Sequence, residues 1–355
     1  METGIHAAIQ EFWRIGIKCD RQLPISFAKV SAVRLVAVRL LVAAAWVLFT
    51  FAAYADDQDF NGRWDITVSG DTNQRAWWLE VSGAGTSNLK GKFVGAPGGQ
   101  VDDIPKLSIS EGELRFAFER RYNTHQKAFQ KGIYYARLES GKLKGTFEIE
   151  GDPSSYLEWQ GIRAPVIADK DDATWRRGDP IPLFDGRDLT GWQPEVPNRP
   201  PAWTVKDGVL MNGAGTNNLV SDKKFLNFML HVEFMIGART NSGIGLRGRY
   251  ELQLVDDFYR PPSMRSSGAI YDRIAPSTNA IDLPGEWQSC DIRLVGRQVT
   301  VVLNGVKVMD KQTIEGLTGE AIDANEGDPG PIVLKGDRGP VEFRKVILFP
   351  LTKPH

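Results

Sequence analysis

A carboxylate and a guanidinium on neighbouring predicted strands are the side chains of this sequence best suited to chemistry. Residues Tyr250–Asp256 (YELQLVD) alternate polar and apolar side chains, which predicts a β-strand. The alternation sends Glu251 and Gln253 to the face opposite the two leucines, and towards a cleft if the leucines pack the core. The same rule sends Arg247 outward beside Glu251. The two groups form either a general base with an electrostatic partner or a plain cross-strand salt bridge.

Other polar residues near these strands are candidates for ligand contacts. Asn241 and Ser242 precede the strand that carries Arg247, and Tyr271 is either a donor to a ligand hydroxyl or a core ring. Asp256 ends its strand, where it either ligates a cation or caps a turn. With four histidines and two cysteines, the chain offers no histidine cluster and no cysteine-based zinc site. No cofactor is certain, and a divalent cation held by oxygen ligands stays open.

Short strands position these residues. Beyond residue 183 runs of alternating apolar residues recur between turns, with no long amphipathic helix. Asn304-Gly305 is a two-residue hairpin signal between two such runs. These features predict an all-β, two-sheet jelly-roll sandwich over residues 183–355.

The preceding part of the chain predicts a second β domain. Residues 56–165 read as an antiparallel meander of about seven strands, which can close into a small barrel and so remove its edges. This barrel is interpreted as a scaffold or an accessory binding domain. The charged, proline-bearing residues 166–182 show no periodicity and are predicted to be the linker.

The first 55 residues resemble an export signal. Arginines precede an apolar run from Leu40 to Ala53, and an A-x-A site follows directly before two aspartates. The run is shorter than the roughly 20 residues that span a bilayer. We therefore expect a cleaved signal peptide over residues 1–55, export to the periplasm or beyond, and no stable membrane span afterwards. A retained anchor is the alternative.

The composition narrows the class of partner. Lys and Arg number 43 against 44 Asp and Glu, so the chain lacks the basic excess that a nucleic-acid partner favours. Cleavage at residue 55 would leave Cys290 as the single cysteine, which rules out an internal disulfide in the mature chain. Two domains of this size can instead be stabilised by core burial.

Several motifs of residues 183–351 together resemble the 3-keto-disaccharide hydrolase domain family. They occur in the family's order and with similar spacing. The motifs are Leu183–Trp192, Trp203–Leu210, Asn241–Arg247, Tyr250–Asp256, Gly268–Tyr271, Pro284–Trp287, Val302–Val306 and Phe343–Ile347.

The resemblance implies a concanavalin-like sandwich, export, and action on an oligosaccharide or glycoside oxidised at C3. A C3 ketone acidifies the C2–H bond, so a base can remove that proton while the C1 substituent leaves. The resemblance favours Glu251 as this base and Arg247 as the group that stabilises the enolate oxygen. Asn241, Ser242, Gln253 and Tyr271 would contact the sugar.

The sequence departs from the family near its end. Where the family usually carries Gln and His, this chain has Lys335 and Arg338, which we place among the substrate-binding residues. Arginine cannot act as a base near neutral pH. Either the family's histidine is not essential for the reaction, or this protein acts on a different substrate, or it has lost turnover. The alternative function is a non-catalytic, lectin-like jelly roll of the cell envelope.

Overall fold

The computed structural model describes residues 56–70, 75–95, 99–122, 128–197, 199, 202–213, 215, 217–336 and 338–354. The predicted signal peptide lies outside these residues. Residues from 55 onwards form one compact unit. Regular secondary structure in the described part is β-strand apart from one 3-10 turn, Asp57–Phe60, which the Asp56 side chain caps.

Nine antiparallel strands form a single sheet in the first part of the chain. The order in the sheet is β4-β3-β2-β1-β9-β8-β7-β6-β5. The strands are β1 (Gly62–Ser69), β2 (Trp77–Ser82), β3 (Lys90–Val94), β4 (Val101–Asp103), β5 (Leu107–Ser110), β6 (Glu113–Arg120), β7 (Gln130–Glu139), β8 (Lys142–Ile149) and β9 (Asp152–Arg163).

Aromatic contacts show that this sheet curls into a barrel. The ring of Phe93 in β3 lies 5.2 Å from Phe116 in β6 and 5.0 Å from Tyr134 in β7. These strands lie near opposite ends of the strand order, so their rings can meet only if the sheet bends back on itself. The predicted small barrel is confirmed.

The second part of the chain folds into two facing sheets. A nine-stranded sheet has the order β13-β14-β23-β16-β19-β20-β21, with β10 and β11 also paired to β23, and a five-stranded sheet has the order β12-β15-β22-β17-β18. The strands are β10 (Arg176–Arg177), β11 (Ile181–Phe184), β12 (Trp192–Pro194), β13 (Trp203–Lys206), β14 (Val209–Asn212), β15 (Leu219–Phe225), β16 (Phe228–Ile236), β17 (Asn241–Leu246), β18 (Tyr250–Val255), β19 (Gln288–Val295), β20 (Gln298–Leu303), β21 (Val306–Thr313), β22 (Gly330–Leu334) and β23 (Val341–Thr352).

Buried and exposed side chains alternate along the strands of this sandwich, and the buried ones form its core. In β16 every second residue from Phe228 to Ile236 is buried, and the residues between them are partly exposed. The inward residues of both sheets join one apolar cluster, as expected for sheets packed face to face. The predicted hairpin is also confirmed, because Leu303 pairs with Val306 across Asn304 and Gly305, which both have positive φ. The jelly-roll prediction is therefore correct.

The segment predicted as a linker contributes to the sandwich. Arg176–Arg177 pair with the last strand, and Asp171 forms an ion pair with Arg293 of β19 at 2.9 Å. The domain boundaries inferred from the sequence stay a prediction.

The barrel and the sandwich pack against each other. Ala76, Trp78 and Val94 of the barrel form one buried cluster with Leu317, Ala321 and Ala324, which precede β22. No helix of the described residues is long and apolar enough to cross a membrane.

Candidate functional site

Strand β18 places Glu251 on the face of the five-stranded sheet that points away from the sandwich core. Leu252 and Leu254 join the apolar cluster, and Glu251 takes the opposite side, as the alternation predicted. Nevertheless Glu251 is almost wholly buried, and so is Gln253. Gly243 explains how the carboxylate fits, because a Cβ on this neighbouring residue would lie 3.0 Å from Glu251 Oε1.

Lys335 is the cationic partner of Glu251. Its Nζ donates to Glu251 Oε1 at 2.6 Å, and the two side chains are 7% and 4% exposed. The backbone of Lys335 is fixed as well, because its N–H donates to the Gly243 carbonyl at 3.0 Å and its carbonyl accepts from Ser242 Oγ at 2.8 Å. A buried carboxylate needs such a partner to stay charged. Ser242 therefore holds the main chain of Lys335 in place, and its contact with substrate stays a prediction.

Gln253 and Asn241 form a polar pair beside this ion pair. Gln253 Nε2 donates to Asn241 Oδ1 at 2.8 Å. Gln253 Oε1 is buried and has no hydrogen-bond partner among the described residues. Because a buried acceptor without a partner is costly, this oxygen suits a ligand hydroxyl.

Tyr271 borders Glu251 from the long loop that follows β18. Its N–H donates to the Glu251 carbonyl at 2.9 Å. Burial raises the pKa of the Tyr271 phenol, while the nearby Arg265 opposes the shift and Glu251 adds to it. The phenol therefore stays protonated near neutral pH and can donate a hydrogen bond.

Thr318, Glu320 and Asn218 complete a small hollow around Glu251, whose free volume of about 10 Å³ is close to the space one water molecule needs. The Glu251 N–H donates to Thr318 Oγ1 at 3.0 Å, and Glu320 Oε2 lies 4.0 Å from Lys335 Nζ. These residues were missed by the sequence analysis, since they lie in loops where no periodicity marks them. This volume is far below the roughly 300 Å³ at the lower end for ligand pockets, so a sugar would have to displace side chains to enter.

The predicted placement of Arg247 beside Glu251 is wrong. Strand β17 ends at Leu246, and Arg247 begins the turn with a φ of 55°, so strand alternation no longer governs its direction. Its wholly buried side chain donates to the Gly296 carbonyl and lies 5.2 Å from the centre of the Tyr250 ring. Burial lowers the pKa of Arg247. Lys335, rather than Arg247, is the cation placed to act with Glu251.

Two further predicted residues lie apart from the ion pair. Asp256 Oδ2 accepts from the Arg239 N–H at 2.8 Å, so the carboxylate caps a turn, which was one of the two roles considered. Arg338 pairs through its backbone with Asn241, and its side chain is exposed. Within the described residues no group of three or more His, Cys, Asp or Glu is arranged to hold a metal.

Comparison with known proteins assigns this part of the chain to a family. Residues 179–348 match the family model of the 3-keto-alpha-glucoside-1,2-lyase-like domain. No curated protein matches the chain.

Some solved structures resemble about half of the chain. Two from Parabacteroides distasonis, whose proposed activity is that of a glycosyl hydrolase, are 28% and 25% identical, with TM-scores of 0.44 and 0.42. The matches cover 53% and 49% of this chain, and 93% and 94% of theirs. Since both TM-scores are below 0.5, the assignment depends on the family match. Residues 179–348 are thus a domain of the 3-keto-alpha-glucoside-1,2-lyase-like family, and the chain is a carbohydrate-active protein.

Proposed function

We propose that the protein is an exported enzyme that cleaves the glycosidic bond of 3-keto-glycosides by base-assisted elimination. The observation that supports this proposal is the buried pair of Glu251 and Lys335, held at 2.6 Å in a hollow of the matched domain. Elimination next to a ketone needs a base and a cationic or hydrogen-bonding group for the enolate oxygen. The pair supplies both.

In this reaction Glu251 takes the proton from C2 of the oxidised sugar. The electron pair of the C2–H bond first moves towards the C3 carbonyl oxygen, where the Lys335 ammonium stabilises the negative charge. The enolate then forms the C1–C2 double bond as the C1–O bond breaks, and the leaving oxygen takes up a proton. Tyr271 borders Glu251 and is a candidate donor to a sugar hydroxyl. Addition of water to the double bond would complete a net hydrolysis.

The test compares oxidised and unoxidised substrate. We expect the purified protein to release glucose from 3-keto-trehalose and none from trehalose, with a primary isotope effect when C2 carries deuterium. Glu251→Gln should lower kcat by roughly 10² to 10⁴, because general-base catalysis contributes this much. Glu233→Gln is the matched control, since Glu233 pairs with Lys345 on the other sheet. A Glu251→Gln variant as active as the wild type would show that the carboxylate is not the base.

A carbohydrate-binding function without turnover is the second candidate. Two observations favour it: Glu251 already carries a cationic partner, and the hollow is small. Binding of 3-keto-trehalose in calorimetry, with no glucose released from any keto-glycoside, would support this function over catalysis.

A further inference from the structure

Arg75 connects the barrel to the candidate site. It lies two residues before β2, and its Nη2 sits 3.0 Å from Glu320 Oε2 of the sandwich. The same guanidinium donates to both carboxylate oxygens of Glu195, with Nη2 at 3.3 Å from Oε2. Arg75 therefore bridges two acidic residues of the other domain.

One of these carboxylates continues to the candidate base. Glu320 Oε2 lies 4.0 Å from Lys335 Nζ, and Lys335 holds Glu251 at 2.6 Å. Charges alternate in sign along the line from Arg75 through Glu320 and Lys335 to Glu251. Each charge thus lies next to one of opposite sign, which stabilises the buried Lys335 and Glu251, while the Glu320 side chain is 41% exposed.

The other carboxylate fixes the backbone beside Lys335. Glu195 Oε2 accepts from Asn218 Nδ2 at 2.6 Å, and Asn218 Oδ1 accepts from the Gly336 N–H at 2.9 Å. Gly336 directly follows Lys335. Arg75 consequently reaches Lys335 by two routes, one to its ammonium and one to its main chain.

Strand β4 of the barrel contacts the loop that carries Tyr271. The Val101 N–H donates to Asp272 Oδ2 at 2.6 Å, and Asp272 Oδ1 accepts from Arg265 Nε at 3.2 Å. The Arg265 guanidinium lies 5.7 Å from the centre of the Tyr271 ring. The barrel thus contacts the surroundings of the site at two places, through Arg75 and through β4.

The Arg75 guanidinium is mostly buried and stays positively charged. Its side chain is 20% exposed, and that of Glu195 is 12% exposed. Burial lowers the pKa of Arg75, but Glu320, Glu195 and Glu251 together outweigh this and raise it. The guanidinium is therefore a permanent charge, and its loss would leave the two acidic partners repelling each other.

We propose that Arg75 is a positioning residue for the Glu251–Lys335 pair, so that the barrel is a working part of the active site and not a separate binding module. This inference rests on the proposed function where it is tested by kcat, because that measurement requires turnover. Without Arg75, Glu320 would be free to draw Lys335 away from Glu251.

The experiment compares Arg75→Gln with Arg63→Gln. Arg63 also bridges barrel and sandwich, through Glu315, and takes no part in the network around Lys335. We expect Arg75→Gln to lower kcat between roughly tenfold and 10²-fold with little change in KM, as small displacements of catalytic groups do. Arg75→Lys should recover part of this loss, and Arg63→Gln should keep the wild-type kcat. Equal kcat in the two Gln variants would overturn the proposal.

Crystal structures of the variants give a readout that does not depend on turnover. The 2.6 Å contact between Lys335 Nζ and Glu251 Oε1 should break in Arg75→Gln and persist in Arg63→Gln. An intact contact in Arg75→Gln overturns the positioning role even if the wild type has no activity. A wild type without turnover, combined with a broken contact, refutes only the proposed function. If Arg75→Gln does not fold, Glu195→Gln breaks the route from Arg75 through Asn218 to the Gly336 main chain, and a kcat and a Lys335–Glu251 contact equal to those of the wild type overturn the positioning role.

Discussion

At the scale of single residues, the charge balance around Glu251 depends on Lys335. Both side chains are nearly inaccessible to water, and their charged atoms lie 2.6 Å apart. An ion pair in such a place is weak evidence for net stability, but removing one partner leaves an uncompensated buried charge. The pair therefore couples folding to the chemistry of the site.

Replacing Lys335 by methionine should be strongly destabilising. Lys335→Met keeps the length of the side chain and removes the cation 2.6 Å from Glu251 Oε1, so we expect a loss of roughly 3–5 kcal/mol in urea unfolding. Adding Glu251→Gln should restore much of the stability, because the buried negative charge is then removed as well. The control is Lys345→Met, whose side chain is 45% exposed and pairs with Glu233. Its cost should stay below about 1 kcal/mol. Equal losses in the two single variants would contradict this account.

At the scale of elements, the hairpin of β17 and β18 makes room for the carboxylate. Gly243 pairs with Gln253 in this hairpin, and its missing side chain leaves space for Glu251. A Cβ there would lie 2.8 Å from the Leu252 carbonyl oxygen and 3.0 Å from Glu251 Oε1. A glycine inside a strand often marks such a close approach.

Gly243→Ala should therefore displace Glu251. We expect a loss of about 1–3 kcal/mol, as for other overpacked sites, together with a lower kcat on a keto-glycoside. Gly178→Ala serves as the control, since its Cβ would make an ordinary contact at 3.4 Å. Chemical unfolding and steady-state kinetics of both variants test this. Wild-type kinetics in Gly243→Ala would show that the hairpin tolerates the methyl group.

At the scale of the whole molecule, a buried acid lies where the barrel meets the sandwich. Asp65 of β1 is fully buried, and neither carboxylate oxygen has a hydrogen-bond partner among the described residues. Burial, helped by Glu326 of the sandwich, raises the pKa of Asp65 to about 8, although Arg297, Arg249 and Arg273 oppose the shift. The folded protein therefore keeps a proton on this group at neutral pH.

This raised pKa predicts that stability falls with rising pH. The unfolded chain loses the Asp65 proton near its ordinary pKa of 3.8, whereas the folded chain holds it until about pH 8. Between these values the folded state binds more protons, so its stability should fall by on the order of 1.4 kcal/mol per pH unit. Asp65→Asn imitates the protonated group and should remove this slope.

Urea unfolding between pH 5 and pH 8 measures the effect, with Asp103→Asn at an exposed position of the barrel as the control. The free energy of unfolding of the wild type and of Asp103→Asn should fall by the same amount across this range. That of Asp65→Asn should fall less. Parallel curves for all three proteins would mean that Asp65 is ionised in the folded state.

Strand alternation was enough to predict most of the strands, the two β folds and the direction of Glu251, but not the strands β10 and β11 in the segment taken as a linker. Alternation with a period of two is a local property, so it reports which face of a strand each side chain occupies. The same rule failed at Arg247, because a turn with positive φ begins there, and local patterns mark such boundaries poorly.

The residues that surround Glu251 could be identified only from the packing of the folded chain. Lys335, the ion-pair partner of Glu251, is 84 positions away in sequence, and Arg75 of the barrel approaches Lys335 only through Glu320. Such contacts depend on how sheets and loops pack, and no periodicity along the chain encodes that packing. For the same reason the burial of Asp65 follows from the docking of barrel on sandwich, which its own strand pattern does not show.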